Sequence, residues 1–206
     1  MKTKAFFLPS LLLCALFALP GPGRAQTPIV QGVSKVIGNG AVGPLMGIPT
    51  FQVHGMVSGD DDTPLPSLVC LLATLGKGHA LAWGHTSFLA DGANRLFDTL
   101  KLNLQAVAWM DGAGTKKAAF LTGHGEGART SRSKVLTSAL RARGYKVTDI
   151  PGRVTASSLS GIGVVIIGNA VKDFTASELN ALETYVKNGG GLLLAGLGWF
   201  WKPYHH

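Results

Sequence analysis

The chain has 206 residues, of which 46% are hydrophobic and 15% charged, and its formal net charge at pH 7 is +8. Two cysteines are too few for a disulfide-rich scaffold. The length suits one globular domain with its own core better than two.

The first 25 residues have the pattern of a secretory signal. Two lysines precede an apolar run that ends near Leu19, and Gly23-Arg24-Ala25 places small residues where a signal peptidase reads them. We therefore expect export to the periplasm or the extracellular space. An uncleaved anchor is the alternative, but the run is shorter than the roughly 20 residues of a membrane helix, and Pro9 and Ser10 interrupt it. After cleavage we expect no stable membrane span.

The charge beyond the signal is modest. Sixteen basic and eleven acidic residues remain, and many of the basic ones lie between Lys116 and Lys146, where they alternate with apolar residues as on a solvated helix face. This balance predicts no nucleic-acid partner. Cys70, the one cysteine after residue 25, lies in an apolar run and is predicted to be a buried thiol.

Residues 26–66 predict an irregular, β-rich lead-in, because glycine and proline interrupt short extended pieces such as Ile29-Val30. Its acidic run, residues 60–62, lacks the alternate spacing of a calcium loop, so no metal site is expected. Two apolar runs between Ser67 and Gly84 then flank Gly76-Lys77-Gly78, which predicts a hairpin with glycine at positive backbone angles.

A helical period follows. Its apolar positions predict a helix from about Asn94 to Met110, with the inner face formed by Leu96, Phe97, Leu100, Leu104 and Val107.

The second half alternates between strands and helices. Strands are predicted at residues 118–121, 145–150 and 163–168, and helices at 131–143, before Gly144, and from the capping box Thr175–Glu178 with Leu179 and Leu182 inward. The last strand, residues 192–195, has no polar face and is expected to be central and buried on both sides. The order predicts an α/β fold with a three-layer, doubly wound, mostly parallel sheet of flavodoxin-like or amidotransferase-like type.

The segment Phe174–Trp201, which ends in Gly-Gly-Gly, a strand, and Gly-Trp-Phe-Trp, resembles the glutamine-amidotransferase-like domain that precedes enhancin-type, mucin-degrading metallopeptidases and occurs in TRP-channel-associated factors. The similarity extends over residues 65–201. It implies an amidotransferase-like domain at residues 67–206, truncated at its C-terminal end, with a missing peptidase domain as one partner. His79 stands where the family leads us to expect arginine, and Thr86 follows His85 where it leads us to expect glutamate.

The motifs of the expected chemistries are incomplete. The chain has no His-Glu-x-x-His zinc motif. The turn Gly196-Leu197-Gly198, where an amidotransferase would carry its nucleophile, has no Cys, Ser or Thr. Neither observation indicates a cofactor, and we expect none.

Two candidate sites remain. Gly123-His124-Gly125-Glu126-Gly127 follows a strand and precedes a helix, so His124 is a candidate base with Glu126 as its orienting partner, or the segment is an ordinary glycine-rich turn. Trp199, Phe200 and Trp201 either pack against another domain or, with His124, bind sugar rings or an apolar protein patch.

The sequence therefore predicts an exported, non-catalytic accessory or binding domain for a glycan, glycoprotein or protein partner. One alternative is a small hydrolase that uses His124 with Glu126, or His85. The other is a truncated reading frame without independent function.

Overall fold

A computed structural model of the chain describes residues 28–38, 54–60 and 63–196. The predicted signal, most of the Gly196-Leu197-Gly198 turn, and Trp199, Phe200 and Trp201 lie outside these residues.

Seven strands and five helices make up the described fold, with two 3₁₀ turns at Pro28–Val30 and Thr86–Leu89. The strands are β1 His54–Asp60, β2 Thr63–Leu75, β3 Gly78–Trp83, β4 Lys117–Leu121, β5 Lys146–Ile150, β6 Val164–Ile167 and β7 Gly191–Ala195. The helices are α1 Asp91–Asn94, α2 Thr99–Met110, α3 Lys134–Ala142, α4 Ala156–Leu159 and α5 Ala176–Lys187.

The strands form one mixed sheet in the order β1-β2-β3-β7-β6-β4-β5. The five strands from β3 to β5 in this order pair in parallel, while β1 and β2 extend the sheet by antiparallel pairing. The predicted α/β fold, its mostly parallel sheet and the central place of the last strand are confirmed. The narrower doubly wound, flavodoxin-like or amidotransferase-like assignment stays a prediction.

Alternate residues of the parallel strands pack into two separate cores. Phe120 of β4 and Ile166 of β6 belong to the core that contains α2 and α3, while Leu121 and Val165 belong to the core that contains α4 and α5. Wholly apolar strands are typical of a sheet that helices cover on both faces. Leu194 departs from the predicted two-sided burial of β7, because 39% of its surface is exposed.

The predicted helix Asn94–Met110 is interrupted. Phe97 has a φ of 50°, so α2 begins only at Thr99. Leu96 and Phe97, which were expected inside, are 45% and 58% exposed. The cause is tertiary: the Asp98 carboxylate accepts hydrogen bonds from the backbone N–H groups of Ser34 and Lys35, which docks residues 28–38 beside α2.

Four smaller predictions also need correction. Ile29-Val30 forms a 3₁₀ turn rather than an extended piece, because Ile29 is buried against α2. The predicted boundary between residues 66 and 67 falls inside β2. Helix α3 starts at Lys134 instead of 131, and Leu179 points outward with 53% of its surface exposed. Among the described residues, no helix has both the length and the hydropathy needed to cross a membrane.

Candidate functional site at the carboxyl edge of the sheet

The candidate residues lie where the parallel strands end, at what we call the carboxyl edge. His124 follows β4, Asn169 follows β6, Thr86 follows β3 and Gly196 follows β7. Between β4 and β6 the connections diverge, because β4 leads through α3 to β5 and β6 leads through α5 to β7. Open α/β sheets usually bind ligands at such a point of divergence.

His124 is held between two carboxylates under an aromatic ring. Its Nε2 lies 3.1 Å from Oε1 of Glu178 and its Nδ1 lies 3.6 Å from Oε1 of Glu126. The Phe174 ring stacks on the imidazole with 4.1 Å between the ring centroids. Only 7% of the His124 surface is exposed. The imidazole is therefore oriented on both sides and largely shielded from solvent.

Glu126 is fully buried beneath the turn that carries it. Its Oε2 accepts the backbone N–H of His124 at 2.8 Å, and Nη2 of Arg129 donates to the Glu126 carbonyl at 2.9 Å. Oε1 of Glu126 and Nδ1 of His124 make no hydrogen bond to any part of the chain that the structure describes. A purely structural role for the turn does not explain why these two buried atoms lack hydrogen bonds.

Glu178 was predicted only as a helix cap and proves to be the second partner of His124. As predicted, Thr175 and Glu178 form a capping box at the start of α5. The backbone and hydroxyl of Thr175 donate at 2.9 and 2.7 Å, and the backbone N–H of Val154 donates at 3.1 Å. These bonds, with a smaller contribution from nearby His124, lower the pKa of Glu178 to about 2. The carboxylate is therefore ionised at neutral pH.

Hydrogen bonds join the loops of the carboxyl edge to one another. The Thr86 hydroxyl donates to the Ala195 carbonyl at 2.7 Å and accepts the Asn169 N–H at 2.9 Å. Asn169 in turn accepts from Gly127, and the His124 carbonyl accepts from the two residues 171 and 172. These bonds fix the loops of the carboxyl edge against one another.

His85 is separate from this cluster. Its Nδ1 accepts the backbone N–H of Ser87 at 2.8 Å, which caps the 3₁₀ turn after β3. Burial lowers the pKa of His85. No hydrogen bond or ion pair among the described residues connects it to His124 or Glu126. His79, at the position of the expected arginine, stacks on Trp109 with centroids 4.1 Å apart.

The chemistry available at His124 is limited by its neighbours. An imidazole that a carboxylate orients can serve as a general base. Among the described residues, Glu126, Glu178 and Phe174 contact its ring, and none of these is a Ser, Thr or Cys nucleophile. The carboxylates flank opposite nitrogens and do not converge on one point; no metal-binding group of three was found within the described ranges.

Comparison with known proteins places the fold. No protein-family model matches the chain. Over 144 residues, 69% of the chain, it is 27% identical to a TRPM8 channel-associated factor homolog from Xenopus laevis, of which it covers 13%. IMPa from Pseudomonas aeruginosa in complex with an O-glycopeptide matches 84% of the chain with a TM-score of 0.58 and 17% identity, and IMPa metallopeptidase in complex with T-antigen matches 82% with a TM-score of 0.54 and 16% identity.

The chain spans 19% of the length of each of these two IMPa chains. It therefore shares an α/β fold with a part of enhancin-type metallopeptidases, and it has partial sequence similarity to a channel-associated factor. The predicted resemblance is confirmed at that level, whereas the amidotransferase-like assignment stays a prediction.

Proposed function

We propose that this chain is an exported, non-catalytic domain that binds a glycoprotein. The observation that carries the proposal is the carboxyl edge: its loops are hydrogen-bonded to one another, and its buried histidine has no nucleophile among its described partners. A site built for turnover needs access for substrate and a reacting group. The signal pattern of residues 1–25 supports the export part of the proposal.

The fold supports the choice of partner. Two of the similar solved structures are complexes with an O-glycopeptide and with T-antigen, and we extend glycan binding from those proteins to this chain as part of the proposal. Trp199, Phe200 and Trp201 are candidate contacts, since aromatic rings stack on the apolar faces of sugars. In the amidotransferase-like interpretation, Gly196-Leu197-Gly198 is the turn that has lost its nucleophile.

The test is to measure binding and turnover on the same substrate. We would immobilise a mucin-type O-glycoprotein, record binding of the purified chain before and after enzymatic removal of the O-glycans, and assay the solution for released peptide or sugar. We expect binding that falls on deglycosylation, with no product. Product formation by the chain would contradict the proposal.

A small hydrolase is the second candidate, and one observation favours it. Nδ1 of His124 and Oε1 of Glu126 are buried and make no hydrogen bond to the described residues, and unsatisfied groups of this kind occur at catalytic sites. If the chain cleaved an ester or peptide, His124→Gln would abolish the activity while His85→Gln would preserve it. Circular dichroism of both variants would separate loss of activity from loss of fold.

A further inference from the structure

A groove lies at the opposite edge of the sheet from His124. It has a volume of about 560 Å³ and runs between α4 and α5, with residues 161–163 before β6 and residues 189–190 before β7 at its inner end. This volume is within the usual range of ligand pockets, about 300–1,000 Å³. We call it the α4–α5 groove.

The lining of the groove is uncharged and mostly apolar, with a smaller polar part. None of its residues is Asp, Glu, Lys, Arg or His, although the chain as a whole has thirty basic and acidic residues. Helix α5 contributes Asn180 and Thr184, and Asn188 caps its end; all three are exposed. The side chains of these three residues make no hydrogen bond to the described residues, so their amide and hydroxyl groups are free to bind a ligand.

The floor of the groove contains a fixed aromatic ring. The Tyr185 hydroxyl lies 3.2 Å from the Ile162 carbonyl and 3.3 Å from the Gly191 carbonyl. Gly190 packs directly over the ring, since a Cβ at that position would lie 2.3 Å from Cζ of Tyr185. Burial raises the pKa of Tyr185, so its hydroxyl stays protonated and neutral. A ring held in this way loses little conformational entropy when a ligand binds.

These features discriminate between ligand classes. A charged ligand would lose hydration without gaining a counter-charge in the groove. A purely apolar ligand would leave the amide and hydroxyl groups without partners. A neutral polyol satisfies both conditions, because its hydroxyls pair with the Asn and Thr side chains while its C–H face contacts small apolar residues and the aromatic floor.

We infer that the α4–α5 groove binds uncharged sugar residues of a glycoprotein. The inference rests on the proposed function, because it supplies the contact surface for the proposed partner. It assigns that surface to the amino edge of the sheet, away from His124.

The test compares two lysine substitutions on one helix. Thr184→Lys puts a charged chain into the groove, while Leu179→Lys makes the same change in charge at an exposed position of α5 outside it. With the T-antigen disaccharide as probe in calorimetry, we expect Thr184→Lys to weaken binding about tenfold or more and Leu179→Lys to change it less than about twofold.

Each other outcome has a defined meaning. If the unaltered chain binds neither the disaccharide nor the O-glycoprotein, the proposed function fails and the groove assignment fails with it. If the chain binds and the two lysine variants behave alike, the groove assignment is wrong while the proposed function stands. If Trp199→Ala and Trp201→Ala abolish binding while Thr184→Lys leaves it intact, the groove assignment is also wrong and the proposed function stands.

Discussion

Glu178 links three parts of the molecule through one carboxylate: the first turn of α5, the loop at Val154 and the His124 ring. Replacing Glu178 by Gln removes the charge that these donors share and turns one acceptor atom into a donor. We expect Glu178→Gln to unfold at a lower urea concentration at pH 7. Glu183→Gln is the control on the same helix, since Glu183 is exposed and pairs with the exposed Lys187, and an exposed pair of this kind contributes little.

The same carboxylate makes stability depend on pH. Its folded-state pKa of about 2 is below its ordinary value of 4.5, so its contribution is complete above about pH 4.5 and is lost as the pH falls toward 2. The difference in urea midpoint between the unaltered chain and Glu178→Gln should therefore shrink between about pH 5 and about pH 2. A difference of constant size across that range would show that ionised Glu178 is not the stabilising group.

Thr86 stabilises the carboxyl edge through its hydroxyl, which both donates and accepts. Thr86→Val keeps the shape and removes both bonds, so we expect it to lower the free energy of unfolding by about 1–3 kcal/mol. Thr86→Ser retains the hydroxyl and should lose much less. Equal denaturation midpoints for the two variants would contradict this role.

The sequence predicted only part of this cluster. His124 and Glu126 are neighbours on one turn, so their pairing was readable from spacing. The capping box identified Glu178 as a helix cap, but the contact of Glu178 with His124 depends on the pairing of β4 and β6, which brings distant residues together. The role of Thr86 could not be predicted from the sequence beyond its departure from the family pattern. A hydroxyl that bridges two backbone segments produces no periodic sequence pattern.

At the level of elements, helix ends were more predictable than helix starts. As predicted, α3 ends just before Gly144, which has a φ of 83°. This end was predictable because a glycine that stops a helix is a local feature of the sequence. The start of α2 was missed since Phe97 takes its left-handed conformation next to Asp98, which binds the distant residues 34 and 35. No window of the sequence around Phe97 contains that information.

The hairpin Gly76-Lys77-Gly78 needs its two glycines for different reasons. Gly76 supplies the predicted positive φ, 61°. Gly78 instead supplies space, because a Cβ there would lie 2.1 Å from the Val186 carbonyl oxygen at the end of α5. We expect Gly78→Ala to cost about 1–3 kcal/mol, as overpacking does.

Gly112→Ala is the matched control for this substitution, since a Cβ at Gly112 meets nothing within 4 Å. Its free energy of unfolding should be unchanged or slightly higher, because alanine restricts the unfolded chain. Chemical denaturation of both variants measures the difference. Equal stability would show that α5 moves away from β3 at little cost.

For the molecule as a whole, Cys70 reports on the integrity of the core. It is fully buried, and burial raises the pKa of its thiol to about 12. In a Cys14→Ser variant of the full chain, where Cys70 is the only cysteine, we expect a thiol reagent to react slowly in native buffer and promptly in denaturant. Rapid reaction in native buffer would show that β2 separates from the core without global unfolding.

The central place of β7 has a consequence for how the chain reaches its fold. β7 comes last in sequence among the described strands, yet β3 and β6 are joined only through it. Without β7 the same strand order would leave two separate sheets, β1-β2-β3 and β6-β4-β5, each with a bare edge able to pair with the wrong strand. Completing the sheet therefore depends on the pairing of β7 with β3, which is distant in sequence, and long-range pairing of this kind is slow and open to aggregation.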